Sequence, residues 1–175
     1  MLSRDFSGPW QSRAIRDTLQ SLFLSELLRP SAELWILSAW VSDVEAVDNT
    51  ARAFSALRPD WPAAAIRLTE VMRDLAGRGG RLCVVVREVD HNAHFIRTLR
   101  DLQAQTEGRL GLAISPTAHE KTIVGDDYIF GGSMNFTQSG LTSSEEHVLL
   151  RVDRQAAASR RLALHARWSG SLQWG

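Results

Sequence analysis

Residues 119–135 carry the sequence HEKTIVGDDYIFGGSMN, in which two short runs of strand-forming residues flank a turn. The Gly-Asp-Asp at residues 125–127 is typical of a tight turn. This pattern predicts a β-hairpin. A hairpin folds the two ends of the stretch back onto each other, so polar residues at both ends are expected to meet.

Four polar side chains are expected to converge at that meeting point. Alternate residues of a strand share a face, which pairs His119 with Lys121 and Ser133 with Asn135. An imidazole can attack phosphorus or transfer a proton. An ammonium and neutral hydrogen-bond donors suit phosphate oxygens. The glycines at 131–132 lack side chains and are expected to let a substrate approach. The pattern therefore indicates phosphate chemistry.

The elements around the hairpin alternate between helices and strands. The order β-α-β-α-β followed by a hairpin indicates an α/β fold with a mixed sheet. The predicted elements are a helix between Pro9 and Pro30, a strand at 34–41, a loop at 42–60, a helix that starts at Asp60-Trp61-Pro62 and stops at Gly77, Gly79 and Gly80, a strand at 81–86, a helix capped by Asn92, a strand at 109–114, the hairpin, a strand from Glu146 to Val152, and a helix at about 154–168.

The length and charge of the chain exclude several classes of protein. Its 175 residues favour a single domain over 1–175, with an N-terminal helix in 1–30 and a C-terminal helix and tail in 154–175. Twenty basic and 20 acidic residues cancel, which excludes a strongly basic nucleic-acid coat protein. Nineteen of the basic residues are arginines, and the one lysine is Lys121. A lone cysteine allows no intrachain disulfide.

The sequence also lacks the marks of a membrane protein. The N-terminus does not have the basic and then apolar layout of a signal peptide. No apolar run approaches the roughly 20 residues needed to span a bilayer. We therefore expect a cytoplasmic protein without a membrane partner.

The 119–135 stretch resembles the HKD motif of the phospholipase D superfamily, which is His-x-Lys, four residues, Asp, a spacer and Gly-Ser-x-Asn. The matching residues are His119, Lys121, Asp126, Gly132, Ser133 and Asn135. Five residues separate Asp126 from Gly132, where the motif usually has six, so Asp127 is an alternative for the Asp position. The family also has an acidic residue that orients the histidine; Glu146 fits it, and Glu145 is its rival on the opposite face.

The resemblance implies a phospholipase D-like fold, with a mixed sheet flanked by helices, and a mechanism with two histidines. One histidine attacks the phosphodiester and forms a phosphohistidine, the other protonates the leaving oxygen, and the family usually needs no metal or other cofactor. The catalytic set implied here is His119, Lys121, Asp126, Ser133, Asn135 and Glu146. Because the chain has one HKD copy, a homodimer that contributes one His119 from each protomer is expected.

Further segments resemble one small bacterial group within the superfamily. They are residues 38–43, 47–49, 67–71 and the His91-Asn92 pair with Phe95. That group belongs to gene clusters that insert 7-deazaguanine derivatives into DNA and restrict unmodified DNA. The resemblance implies a DNA nuclease that works alongside other proteins of such a cluster.

Two alternatives stay open for the function. The chain could be a non-catalytic or partner-dependent DNA-binding subunit, or a lipid phosphodiesterase.

Trp40, near the end of the strand at 34–41, is expected either to pack in the core or to stack on a nucleobase at the site. No spacing of His, Asp and Glu predicts a metal site.

Overall fold

A computed structural model describes residues 2–7, 11–142 and 147–175. The strands and helices are, in chain order, β1 (Leu2–Ser7), α1 (Ser12–Leu28), β2 (Glu33–Ser38), β3 (Glu45–Asp48), β4 (Ala65–Arg67), α2 (Leu68–Gly77), β5 (Arg81–Arg87), a 3₁₀ turn (Asp90–Asn92), α3 (Ala93–Gln103), β6 (Leu110–Ser115), β7 (Thr122–Val124), β8 (Tyr128–Gly132), α4 (Gln138–Thr142), β9 (His147–Val152), α5 (Arg154–Trp168), a second 3₁₀ turn (Ser169–Ser171) and β10 (Gln173–Trp174).

Among the described residues, eight strands form one mixed sheet in the order β1-β9-β8-β7-β2-β5-β6-β10. Strands β2, β5 and β6 are parallel to one another, whereas the other neighbours in this sheet pair antiparallel. Strands β3 and β4 form a separate antiparallel pair. The expected α/β architecture with a mixed sheet is confirmed.

The central strands of the sheet are buried on both faces by helices. Strand β2 alternates between the two cores, because Leu34 and Ile36 face the larger cluster while Trp35 and Leu37 face the smaller one. Apolar residues of α1, α2 and α3 complete the larger cluster. Ala157, Leu164 and Trp168 of α5, and Leu172, cover the other face. This double burial explains why β2 is apolar over its middle positions.

The N-terminal region differs from the prediction, because a strand precedes its helix. Strand β1 pairs along its whole length with β9, from Leu2 opposite Val152 to Ser7 opposite His147. In β1 only Phe6 is buried, so its sequence shows no apolar alternation that would reveal a strand. The 154–175 region likewise ends in β10, which pairs with β6.

The second helix begins later than the Asp60-Trp61-Pro62 pattern predicts. Helix α2 starts at Leu68, and the residues before it form β4, which pairs with β3 inside the segment expected to be a loop. Trp61 is buried and its indole N–H donates to Asp74 of α2 at 2.8 Å. Trp61 thus anchors a loop onto the helix. The predicted stop is confirmed, because α2 ends at Gly77 and Gly79 has a φ of 92°.

Helix α5 covers Arg154–Trp168, the range predicted for the last helix. The side chain of Asp153 caps it by accepting from the N–H of Ala156 at 3.0 Å. Within the described part of the chain, no helix has both the length and the apolar character to cross a membrane.

Candidate active site

The hairpin brings the two ends of the 119–135 stretch together. Strands β7 and β8 pair with Thr122 opposite Gly131, and the N–H of Gly132 donates to the carbonyl of Lys121 at 3.1 Å. His119 and Lys121 lie just before β7, whereas Ser133 and Asn135 lie just after β8. These residues were expected on the strands themselves. They instead occupy irregular backbone at the open end of the hairpin.

This open end lies beside the carboxyl end of β2. Leu37, next to the last residue of β2, pairs with Thr122 of β7. Beyond β2, Val41 forms a bridge with Phe136, and the N–H of Ser42 donates to the Phe136 carbonyl at 2.9 Å. The four polar residues therefore cluster at the edge where parallel strands end, which is where open α/β sheets bind ligands.

The carboxamide of Asn135 is oriented by the neighbouring loop. The backbone N–H of Trp40 donates to Asn135 Oδ1 at 3.1 Å. Because only the oxygen of a carboxamide can accept this bond, the amino group is the end that can donate to a phosphate oxygen. Trp40 itself is 39% exposed, so the prediction that it packs in the core is wrong and its ring contacts solvent beside Asn135.

Ser133 is held by the backbone of β9. Its N–H donates to the carbonyl of His147 at 2.9 Å, and its Oγ accepts from the N–H of His147 at 2.9 Å. The ammonium of Lys121 donates to the carbonyl of His119 at 2.8 Å. These bonds fix the Ser133 hydroxyl against β9 and the Lys121 ammonium against the His119 backbone. The side chain of His119 is exposed at the same end of the hairpin.

The two candidates for the acidic residue that orients His119 stand at positions 145 and 146. Glu146 and its rival Glu145 both lie outside the described residues. Among the residues that are described, no group of three or more His, Cys, Asp or Glu side chains is arranged to hold a metal ion.

Asp126 lies at the opposite end of the hairpin from the other motif residues. Its Oδ2 accepts from the N–H of Ala32 at 3.0 Å, and its Oδ1 contacts Arg161 of α5 at 3.2 Å. Asp127, the alternative, is half exposed and contacts Arg154 at 3.7 Å. The structure therefore does not bring Asp126 together with His119. It gives Asp126 the contacts of a residue that joins the hairpin turn, the start of β2 and α5.

Behind Asp126 lies a buried carboxylate, Glu26 of α1. It accepts from the N–H and the hydroxyl of Ser31, both at 2.7 Å, and the Ser31 hydroxyl accepts from the N–H of Asp126 at 2.8 Å. Burial raises the pKa of Glu26, and the nearby Asp126 carboxylate raises it further. At this end of the hairpin, hydrogen bonds between buried polar groups therefore connect the turn to α1.

Glycine is required at 131 and 132 because neighbouring backbone approaches both positions closely. A Cβ at Gly132 would lie 1.9 Å from the carbonyl oxygen of His147, and one at Gly131 would lie 2.7 Å from the Lys121 carbonyl oxygen. The missing side chains make room for neighbouring backbone. The expectation that they let a substrate approach stays a prediction, and both glycines line the cavity that includes Lys121.

Asn92 was predicted to cap α3, but its side chain makes no capping hydrogen bond. It is fully buried and bonds to the loop that carries Trp40. The one local signal for this role is an asparagine placed shortly after a buried strand. That signal does not distinguish a cap from a contact between loops.

The chain matches no protein-family model and no curated protein by sequence. Solved structures do match. NucT from Helicobacter pylori is 14% identical, with 99% of each chain covered and a TM-score of 0.64. Nuc from Salmonella typhimurium, a phospholipase D family member, is 16% identical over 99% of this chain and 97% of that chain, with a TM-score of 0.61.

A third match is a longer protein. The phosphatidylserine synthase of Haemophilus influenzae Rd KW20 is 13% identical over 99% of this chain and 39% of that chain, with a TM-score of 0.66. At these identities the likeness concerns the fold. The chain has a phospholipase D-like fold, with a mixed sheet flanked by helices.

Proposed function

We propose that the chain is a phospholipase D-like phosphodiesterase that cleaves DNA as a homodimer. The observation that supports this most directly is the convergence of His119, Lys121, Ser133 and Asn135 at the open end of one hairpin, beside the carboxyl end of β2. Outside a phosphate site, an exposed imidazole next to an ammonium and an oriented amide has no evident structural use.

The reaction proceeds in two displacements. A ring nitrogen of His119 attacks phosphorus, an N–P bond forms, and the P–O bond to the leaving strand breaks while the partner subunit's His119 protonates the leaving oxygen. Water then attacks the phosphohistidine, gives its proton to the partner subunit's His119, and the N–P bond breaks. Lys121, Ser133 and Asn135 hold the phosphate oxygens, and Glu146 orients His119.

The substrate we favour is DNA, and Trp40 is the residue proposed to contact a base. Its ring is exposed, while its backbone is held on both sides: its N–H binds Asn135, and its carbonyl accepts from the Ser38 hydroxyl at 2.6 Å. A ring on a fixed backbone can stack on an unpaired base without further ordering of that backbone. Residues 38–43, 47–49 and 67–71 resemble DpdK, the phospholipase D-like member of gene clusters that insert 7-deazaguanine derivatives into DNA. Together with the exposed Trp40, this supports a role in bacterial DNA modification and restriction.

The surface proposed for the homodimer is the sheet face that α5 covers. Leu162 on α5 is 70% exposed, and Leu149 of β9 is exposed on the same face. A cavity of about 400 Å³ is lined among others by Lys121, Leu149 and Arg160. A second copy packed here would cover the exposed leucines and bring the partner subunit's His119 toward the first.

One alternative has a specific observation in its favour. The phosphatidylserine synthase neighbour has the same fold, so the fold is compatible with lipid phosphodiesters as well as DNA. The other alternative is a DNA-binding subunit that is inactive without proteins of a restriction cluster. All three functions give different results in one assay.

The purified chain is incubated in three separate reactions, each with EDTA. The substrates are unmodified DNA, DNA carrying a 7-deazaguanine derivative, and phosphatidylcholine vesicles. Metal-independent cleavage of unmodified DNA, with the vesicles intact, supports the proposal. Cleavage of the lipid alone supports the lipid enzyme. Binding without cleavage supports the partner-dependent subunit and overturns the proposed autonomous nuclease.

The intermediate provides a second readout. Reactions with end-labelled substrate, quenched in alkaline SDS, should contain a base-stable, acid-labile phosphorus–nitrogen adduct on the peptide that carries His119. DNA cleavage without any protein-bound phosphate would contradict the two-step mechanism.

A further inference from the structure

Asn92 occupies a fully buried position where two parallel strands end. Its Nδ2 donates to the carbonyl of Ala39 at 2.9 Å and to that of Arg87 at 2.8 Å, and its Oδ1 accepts from the N–H of Val41 at 2.9 Å. One small carboxamide thus joins the segment after β2 to the end of β5. Buried peptide groups need such partners, since leaving them unpaired is costly.

The segment that Asn92 holds is the one that orients Asn135. Residues 39–41 bond to Asn92 on one side, while on the other side the Trp40 N–H donates to Asn135 at 3.1 Å. Val41 also bridges to Phe136. Asn92 and Asn135, the proposed phosphate ligand, therefore bond to the same short segment, Asn92 through Ala39 and Val41 and Asn135 through Trp40.

We infer that Asn92 is a positioning residue for phosphodiester cleavage, which acts by holding residues 39–41 so that the Trp40 N–H orients the Asn135 amide toward the phosphate. This inference rests on the proposed function. The role requires a side chain with two donor hydrogens and an acceptor in one plane, which an asparagine provides and an aspartate or leucine does not. A displacement of about 1 Å in such a network can lower a rate by about 10²-fold.

The matched control is Asn49, which is equally buried in the loop between β3 and β4. Its Nδ2 donates to the Pro62 carbonyl at 2.8 Å, and its Oδ1 accepts from the N–H of Phe54 at 3.1 Å. Asn49→Ala therefore also removes a buried amide that joins loop backbone. It should cost a comparable amount of stability without changing the segment at 39–41.

The kinetic test compares Asn92→Ala, Asn135→Ala and the double variant, well below the melting temperature of each. Asn92→Ala should lower kcat by about 10²-fold, and in the Asn135→Ala background it should add little, because the group through which it acts is already gone. Independent losses that multiply in the double variant would overturn the inference. An equal fall in kcat for Asn49→Ala would overturn it too.

Amide hydrogen exchange tests the same link without any activity. Exchange at the Trp40 and Val41 amides should speed up in Asn92→Ala and stay at the wild-type rate in Asn49→Ala; unchanged exchange in Asn92→Ala overturns the inference. Asn92→Ser, which keeps one donor, replaces the alanine variant if that variant does not fold. If the wild type cleaves no phosphodiester, the proposed function fails, while hydrogen exchange still decides whether Asn92 holds the segment.

Discussion

The Asp126 carboxylate contacts the Arg161 guanidinium at 3.2 Å, at the end of the hairpin opposite His119. This contact joins the turn between β7 and β8 to α5. Asp126 therefore lies at the end of the hairpin away from the four motif residues that converge. We expect it to affect the stability of the fold more than the chemistry.

Replacing Asp126 by Asn should therefore lower the melting temperature and reduce the rate far less than replacing His119 does. The lost interactions are the charged contact with Arg161 and part of the bond from the Ala32 N–H, together worth about 1 kcal/mol for a partly exposed pair. Calorimetry and DNA cleavage at low temperature measure the two effects. Asp127→Asn is the control and should change neither, since within the described residues the Asp127 carboxylate makes one ion pair, a 3.7 Å contact with Arg154.

Replacing His119 by Ala should abolish DNA cleavage and leave the fold intact. The side chain is exposed, so its removal opens no cavity, whereas the proposed mechanism loses both its nucleophile and its acid. Circular dichroism and a cleavage assay measure the outcome. His94→Ala, which removes an exposed histidine of α3, should cleave like the wild type; wild-type cleavage by His119→Ala would sink the assignment.

Replacing Leu162 by Glu should dissociate the proposed dimer and reduce cleavage in parallel. A carboxylate in an apolar contact must be desolvated without a partner, which disfavours association. Sedimentation velocity over a range of concentrations measures the change. Leu28→Glu is the matched control, because Leu28 is 73% exposed on α1, which covers the other face of the sheet. An active monomeric wild type would contradict the shared site.

Replacing Trp40 by Ala should weaken binding of single-stranded DNA and raise KM, with Trp40→Phe intermediate. Stacking of a base on an aromatic ring contributes about 1–3 kcal/mol. The control is Trp174→Ala, since Trp174 is 38% exposed but packs over Arg81 at the far edge of the sheet. An abasic nucleotide at the stacked position should remove the difference between wild type and Trp40→Ala. A difference that persists would show that the ring does not stack there.

Replacing Glu26 by Gln should change how stability depends on pH. Burial raises the pKa of Glu26 in the folded chain, so the folded state holds its proton more tightly than the unfolded state. The free energy of unfolding of the wild type, relative to the variant, should fall as pH rises from about 4.3, the ordinary Glu value, to the raised value, and stay constant above it. Urea unfolding across this range measures it. A difference that does not change with pH would contradict the raised pKa.

Features set by neighbouring residues could be predicted from the sequence. The hairpin, the meeting of its two ends and the range of α5 all follow from local patterns of turn residues and apolar spacing. The features that were missed depend on distant partners. Strand β1 is defined by pairing with β9, at the other end of the chain. The role of Asn92 depends on Ala39 and Val41, 53 and 51 residues away.

The same distinction explains the site. Spacing predicted that His119, Lys121, Ser133 and Asn135 would meet, because a hairpin imposes that meeting. The turn assigned to residues 125–127 already placed Asp126 at the other end of the hairpin. The motif resemblance nevertheless grouped it with the catalytic residues, because a motif records order along the chain and not position in the hairpin.

The 1.9 Å approach between a Cβ at Gly132 and the His147 carbonyl has a consequence for genetics. In a saturation mutagenesis screen scored by loss of activity, every substitution at 132 would rank beside those at His119, although the glycine has no side chain to offer a substrate. Scoring the abundance of each variant in the same library separates the two positions. Substitutions at 132 should deplete the protein itself, whereas substitutions at 119 should leave a stable, inert population.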